Sequence, residues 1–306
     1  MSVSLQRPLH ATFQTALVLT GILAAANAFP QMPVPSIGAL LVQAAIYERQ
    51  FEGEFRTMVG REHYEQRWGG FSPELETSSD RQRVIESEIL FIWLQEEESW
   101  LTARNVRIVD DSPVRDSESR LELLLAAPAD DWVARVRRLR DESARFNLGS
   151  VERNFSDPTM VVQFLSAKVQ PRFRFGGPER DRVDGKLVWR LAFTEHVRPT
   201  LIQSDGNDVP ATGDVWIDAT DGAIVRTRVS LRDTRPSFRL QARIDVTYRR
   251  DPRFAVWVPR RMQERYERSG RRVYLGQTRS FEDQIDCVAT YTDFRRFETK
   301  GRLVPR

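Results

Sequence analysis

The side chains in this sequence that could do chemistry are few. Beyond the first 28 residues there are two histidines, His63 and His196, and a single cysteine, Cys287. None stands at a metal-ligand spacing from another, so neither a metal nor any other cofactor is expected. Cys287 lies in an apolar strand pattern with no second cysteine to pair with, which predicts buried packing rather than nucleophilic work. Glu86 and Glu88, or Glu264 and Glu267, are the available carboxylate pairs. The first pair would share one strand face about 7 Å apart, a separation glycosidic chemistry permits, but any charged strand produces the same pattern. Asp218-Ala219-Thr220-Asp221-Gly222 opens like a calcium loop, yet the remaining ligands are missing and hairpin turn chemistry accounts for it. There is no G-x-S-x-G elbow, and Gly176-Gly177-Pro178 reads as a turn, not a phosphate cradle. No catalytic residue is assigned and no enzyme is expected. A cleft holding Glu86, Glu88, Glu195 or His196 is where one would be sought.

Large aromatic side chains are more informative. Trp189, Phe193, Trp216, Tyr248 and Trp257 recur through the second half, Trp93 closes an earlier strand, and Phe51 and Phe55 lie on a helical pattern near the start. These eight are the candidate lining of an apolar ligand site. An acyl chain needs no chemistry from its host: burial returns about 0.8 kcal/mol per CH₂. A 12-carbon chain would thus gain roughly 8–9 kcal/mol before the entropy of association is subtracted.

The elements that must position these residues follow from periodicity. Residues 1–28 carry Arg7 and His10, an apolar run from Ala11 to Ala26, and Ala26-Asn27-Ala28 before Phe29. That order matches a cleaved secretory signal, placing the mature chain in a periplasm or outside the cell, with no transmembrane segment left after cleavage. The remainder, 29–306, reads as one domain. The whole sequence carries 43 arginines and 3 lysines interleaved with 43 acidic residues, for a net charge of +3. Interleaving of this kind does not make the concentrated basic surface that a nucleic acid needs. Asn154-Phe155-Ser156 fits a glycosylation acceptor.

Ser36 is placed to cap a helix running to about Gly60, with Ile37, Leu40, Ala44, Tyr47, Phe51, Phe55 and Met58 on one stripe. At about 34 Å such a helix must lie along something broad, and a sheet is the natural support. His63–Trp68 reads as a short strand. Arg83–Leu94 is apolar on both faces, which calls for a covering layer on each, and Trp100–Val109 is its antiparallel partner. Residues 116–166 form a helical insert of three segments, one bearing Arg135, Arg137, Arg138, Arg140 and Arg145. From Val169 onward the period is two, with turns at Asp184-Gly185, Asp221-Gly222 and Ser269-Gly270, predicting a meander of seven or eight antiparallel strands. The fold class is α+β: a curved, unclosed antiparallel sheet whose concave face is covered by the first helix and the midchain helices.

This organisation, with the hairpin Asp214-Val215-Trp216-Ile217-Asp218 … Asp221-Gly222-Ala223-Ile224-Val225-Arg226, resembles the periplasmic lipoprotein-carrier superfamily of half-barrels. The resemblance implies a concave apolar cavity lidded by helices, able to receive acyl chains. The chain departs from that group in its greater length, carried by the insert, and in lacking a Cys at the cleavage site. No binding residue is carried over from it. The expected function is therefore an exported, non-catalytic carrier for a lipid or the acyl chain of a lipoprotein. The alternative is an envelope structural or protein-interaction domain with a solid core and no ligand.

Overall fold

The computed structural model describes residues 33–72, 77–94, 99–126, 129–149, 151, 153, 156–274 and 276–296. The signal segment, and Asn154 with Phe155 of the glycosylation motif, lie outside them. Pro35–Arg306 is a compact unit.

Helix α1 (Ile37–Phe55) starts where Ser36 accepts a hydrogen bond from the Ala39 amide at 3.1 Å. It buries Leu40, Ala44, Tyr47, Phe51 and Phe55, the stripe its spacing prescribes. Met58, expected on that stripe, belongs instead to the next element. Strand β1 (Thr57–Ser72) pairs with β2 (Thr77–Leu94), which pairs with β3 (Ser99–Val109), and β4 (Ser112–Pro113) closes that edge. The chain then forms α2 (Ser117–Leu125), α3 (Ala129–Ala144) and the single turn α4 (Met160–Gln163). It returns at the opposite edge through β5 (Phe173–Phe175), β6 (Glu179–Val183) and β7 (Lys186–Glu195), all antiparallel. A small hairpin, β8 (Gln203–Ser204) and β9 (Asn207–Asp208), precedes the long strands β10 (Ala211–Asp218), β11 (Ile224–Arg235), β12 (Phe238–Arg250), β13 (Trp257–Tyr274) and β14 (Gln277–Arg296). The sheet order is β4-β3-β2-β1-β14-β13-β12-β11-β10-β7-β5. The last strand thus comes home against the first. The sheet is open, curved and antiparallel, as its period and short turns require.

Three expectations need correction. First, β1 is a full 16-residue strand. At Gly60 a Cβ would stand 2.8 Å from the Phe294 ring, so glycine is what leaves room for that ring against β1. Second, Ser269-Gly270 is not a turn: both residues pair inside β13, and the reversal comes after Tyr274. A Cβ on Gly270 would meet the Ser237 carbonyl at 2.5 Å, so that glycine serves close approach of the β11–β12 turn. Third, the covering helices are divided between the two faces. Leu121 and Leu124 of α2, with Trp132, Val136 and Leu139 of α3, pack on Val59, Leu90, Ile92, Leu94, Leu101 and Ala103. They form a second core on the outer side, because β2 is apolar on both faces and α1 can cover only one. Of the midchain helices, α4 alone shares the inner core with α1.

Candidate functional site

Cross-strand register defines the inner face residue by residue. One row, Leu191–Val215–Thr227–Val246–Met262–Ala289–Tyr64–Ile85, crosses eight strands without a break, and every member is buried. The next row is Phe193–Gly213–Val229–Ile244–Glu264–Cys287–Gln66–Arg83. Its chemistry changes midway. The trough is apolar under β7–β12 and polar under β13, β14, β1 and β2. Gly213 marks the tightest point: a Cβ there would lie 2.0 Å from the Arg228 carbonyl, beneath the Phe193 ring.

The polar half is sealed by a single arginine from the segment after α3. Arg153, 4% exposed, donates to the Tyr64 hydroxyl at 3.3 Å, the Cys287 sulfur at 2.9 Å, the Gln66 side-chain oxygen at 2.6 Å and the Leu148 carbonyl at 3.2 Å. Its guanidinium also lies over the Tyr64 and Tyr266 rings. Glu264 answers it within the same cluster. Its carboxylate accepts from Ser156 at 2.7 Å, Tyr266 at 2.5 Å and Tyr64 at 3.4 Å. Burial, with Glu264 next to them, drives the Tyr64 and Tyr266 hydroxyls well above their ordinary range. Burial, then Glu264, pushes the Cys287 thiol up to about 12, although Arg153 opposes the shift. The thiol is therefore neutral and unreactive at physiological pH. Nearby, Glu62 is held bidentately by Arg104 and accepts from Ser87.

The apolar half is occupied by the stretch around α4. Met160, Val161, Val162, Phe164 and Leu165 are buried there, and Phe164 sits between Phe173 at 4.9 Å and Phe193 at 6.0 Å. Asp157 starts the turn by accepting from the Thr159 amide and hydroxyl, while its other oxygen accepts from Thr102. The Tyr248 hydroxyl donates to the Pro158 carbonyl at 2.6 Å. Gln170 ties the far end to the Leu41 and Leu165 carbonyls.

The trough continues past this plug. Beyond it lies a hollow of about 510 Å³, floored by Val151, Val209, Leu231, Leu240 and Ala242 and rimmed by Asp233, Arg235 and Arg268. The rim charges are paired: Arg235 with Asp205 and Asp233, Arg268 with Asp283. An apolar floor under a neutralised polar rim, at this volume, has the dimensions of a small-molecule site.

The eight sequence candidates fall in different places. Phe51 stacks on Phe55 at 4.2 Å, Phe55 meets Phe91 edge-on, and Phe51 reaches Trp100, which touches Trp93 at 5.4 Å. These three candidates share one aromatic cluster under α1. Phe193 contacts the plug, and Tyr248 anchors it. Trp189 is on the inner face with the Arg180 guanidinium against its ring. Trp257 stands at the start of β13 under the Lys186 ammonium, its amide donating to the Tyr47 hydroxyl. Trp216 is the exception. It alternates with inner-face Val215 and Ile217, so it belongs to the outer face, where Arg226 and Arg228 cover its ring and Asp181 accepts from its Nε1. Seven of the eight are under 10% exposed, and Trp93 alone is half-buried. None of the eight lines the 510 Å³ hollow.

The residues considered for catalysis make defined contacts, and Glu86 and Glu88, with His63, line a cleft of about 1110 Å³. Glu195 accepts from the Leu201 and Ala211 amides. His196 contacts the Arg172 carbonyl, and Glu88 is shared by Asn105, Arg107 and Arg295. His63 and Glu86 pair on the outer face, and that hydrogen bond raises the imidazole pKa.

No protein-family model matches the chain, and no curated protein matches it in sequence. Among solved structures, one described as "lipid-protein interactions in lipovitellin" is similar over 81% of this chain and 27% of that one, at 10% identity and a TM-score of 0.30. The match therefore spans about a quarter of that protein's length. A likeness this slight carries neither family nor function across.

Proposed function

We propose that the protein is an exported, non-catalytic binding protein for a hydrophobic ligand, a lipid or the acyl chain of a lipoprotein, held on the inner face of the sheet. In this reading residues 1–28 are removed on export to a periplasm or beyond, and the chain acts as a carrier in the envelope. The hollow beside Val151 carries the proposal. It opens on the inner face of β11 and β12, and the α4 segment packs on β11 further along the same face. That segment is one helical turn whose Met160, Val161, Val162, Phe164 and Leu165 pack on the sheet, so a ligand displacing it would replace contacts already hydrophobic in kind.

Titration of delipidated protein with a fluorescent fatty acid tests the reading. Saturable binding is expected, weakened by about tenfold or more in Leu240→Glu, which places a charge on the floor at a half-buried position. Absence of saturable binding across fatty acids and phospholipids would remove it. A second reading, a protein-interaction domain with a solid interior, is favoured by the near-complete burial of Phe51, Phe55, Trp189 and Phe193. Failure to bind any lipid, with an envelope protein recovered in complex, would establish that alternative.

A further inference from the structure

The outer side of α1 has no cover in this unit. Its inner stripe is buried, yet Val42 and Ile46, four residues apart, are 62% and 52% exposed, with Ala39 exposed one turn before them. In a chain that is 29% charged, no Asp, Glu, Lys, Arg or His occurs from Phe29, the first residue after the proposed signal, to Tyr47. Pro33 to Ser36 lead into the helix without a charge, so the exposed face begins uncharged. Arg49, exposed and a further turn along the same stripe, is the first cation after it. Of the acidic groups on the helix, Glu48 is buried, Glu52 pairs with Arg56 and Glu54 with Arg296. An apolar patch with no charge to desolvate, bordered by an arginine able to snorkel, suits the headgroup–acyl boundary of a bilayer.

We infer that the Ala39–Val42–Ile46 face of α1 docks the protein on an anionic lipid surface, with Arg49 at the headgroups. This contact uses the side of α1 opposite the ligand-binding trough and stands independently of the carrier proposal.

A chain starting at Phe29 is suited to the test, because both cores lie wholly within the compact unit Pro35–Arg306. It is floated with vesicles of phosphatidylcholine and phosphatidylglycerol. The unsubstituted protein should float with the vesicles, and Val42→Glu/Ile46→Glu should lower its partitioning about tenfold or more. Val42→Ser/Ile46→Ser, the milder pair, should give an intermediate loss at unchanged thermal stability. Binding of free fluorescent fatty acid should be the same in all three, which separates this contact from the trough. Equal flotation of the Glu pair and the parent would overturn the inference, as would failure of the parent to float. So would a concentration-dependent dimer abolished by the same pair, since the face would then belong to a second copy.

Discussion

Replacing Arg153 by methionine should destabilise the protein by about 3–5 kcal/mol, because it removes four buried hydrogen bonds and the positive charge that neighbours Glu264 in the same cluster. The figure rests on what the guanidinium leaves behind. Glu264 is 3% exposed, and its hydrogen-bond partners Ser156, Tyr266 and Tyr64 are neutral donors, so it keeps its solvation by hydroxyls and loses its countercharge. The Leu148 carbonyl loses its donor in a buried site, at about 1–3 kcal/mol, while Gln66 retains a bond from the Leu148 amide. Methionine returns part of the lost packing, which brings the sum back to the stated range. Urea unfolding followed by tryptophan fluorescence should show a lower midpoint at unchanged slope, with a melting temperature roughly 6–20 °C lower. Adding Glu264→Gln should recover part of the loss, because the orphaned charge goes with it. The same Arg153→Met change loosens the segment that occupies the trough, so fatty-acid affinity should rise while stability falls. A loss under about 1 kcal/mol, or strict additivity with Glu264→Gln, would refute the view of Arg153 as the latch of the buried polar seam.

Phe51→Ala should cost about 3–5 kcal/mol, because it removes the ring stacked on Phe55 from a site 1% exposed; chemical denaturation reads this directly. Burial, then Glu52, raises the Glu48 carboxyl to about 7 from its ordinary 4.5. The folded state therefore holds that proton where the unfolded chain has released it. This contribution to stability is whole below about pH 4.5, declines as pH rises to about 7 and then levels off, and Glu48→Gln should flatten that part of the stability–pH curve. Cys287, 2% exposed with its thiol pushed up to about 12, should resist a thiol reagent at pH 8 in the native state and react at once in denaturant. Rapid native labelling would contradict the packing described.

The sequence made α1 and the long meander legible because burial on one side imposes a period on each. Leu40, Ala44, Tyr47 and Phe51 repeat at helical spacing, and Leu187 to Phe193 alternate, so fold class and antiparallel pairing follow from the pattern and the short turns, though not the order of the strands in the sheet. The polar seam defeated the same reasoning. Glu62, Tyr64 and Gln66 face inward on β1, so its inner row does not look apolar and the strand reads as short. Arg153 lies in a stretch with no period. Its partners Tyr64, Gln66 and Cys287 are remote in sequence, and only the fold brings them to it. The hollow was hidden for a related reason. Val151, Ile202 and Val209 come from irregular segments, and Leu231, Leu240 and Ala242 count as ordinary alternating strand residues until the plug is seen to stop short of them. Trp216 misled because its size outweighed its parity: Arg226 and Arg228 lie over its ring on the outer face, and these cation–π contacts help to bury it.

Photoactivatable fatty acid crosslinked to the delipidated protein, with the labelled peptides mapped, tests the central claim most directly. The account predicts saturable labelling at the trough floor, at Val151, Leu231 or Leu240, competed away by unlabelled fatty acid. Labelling confined to the outer face, or labelling that never saturates, would contradict it.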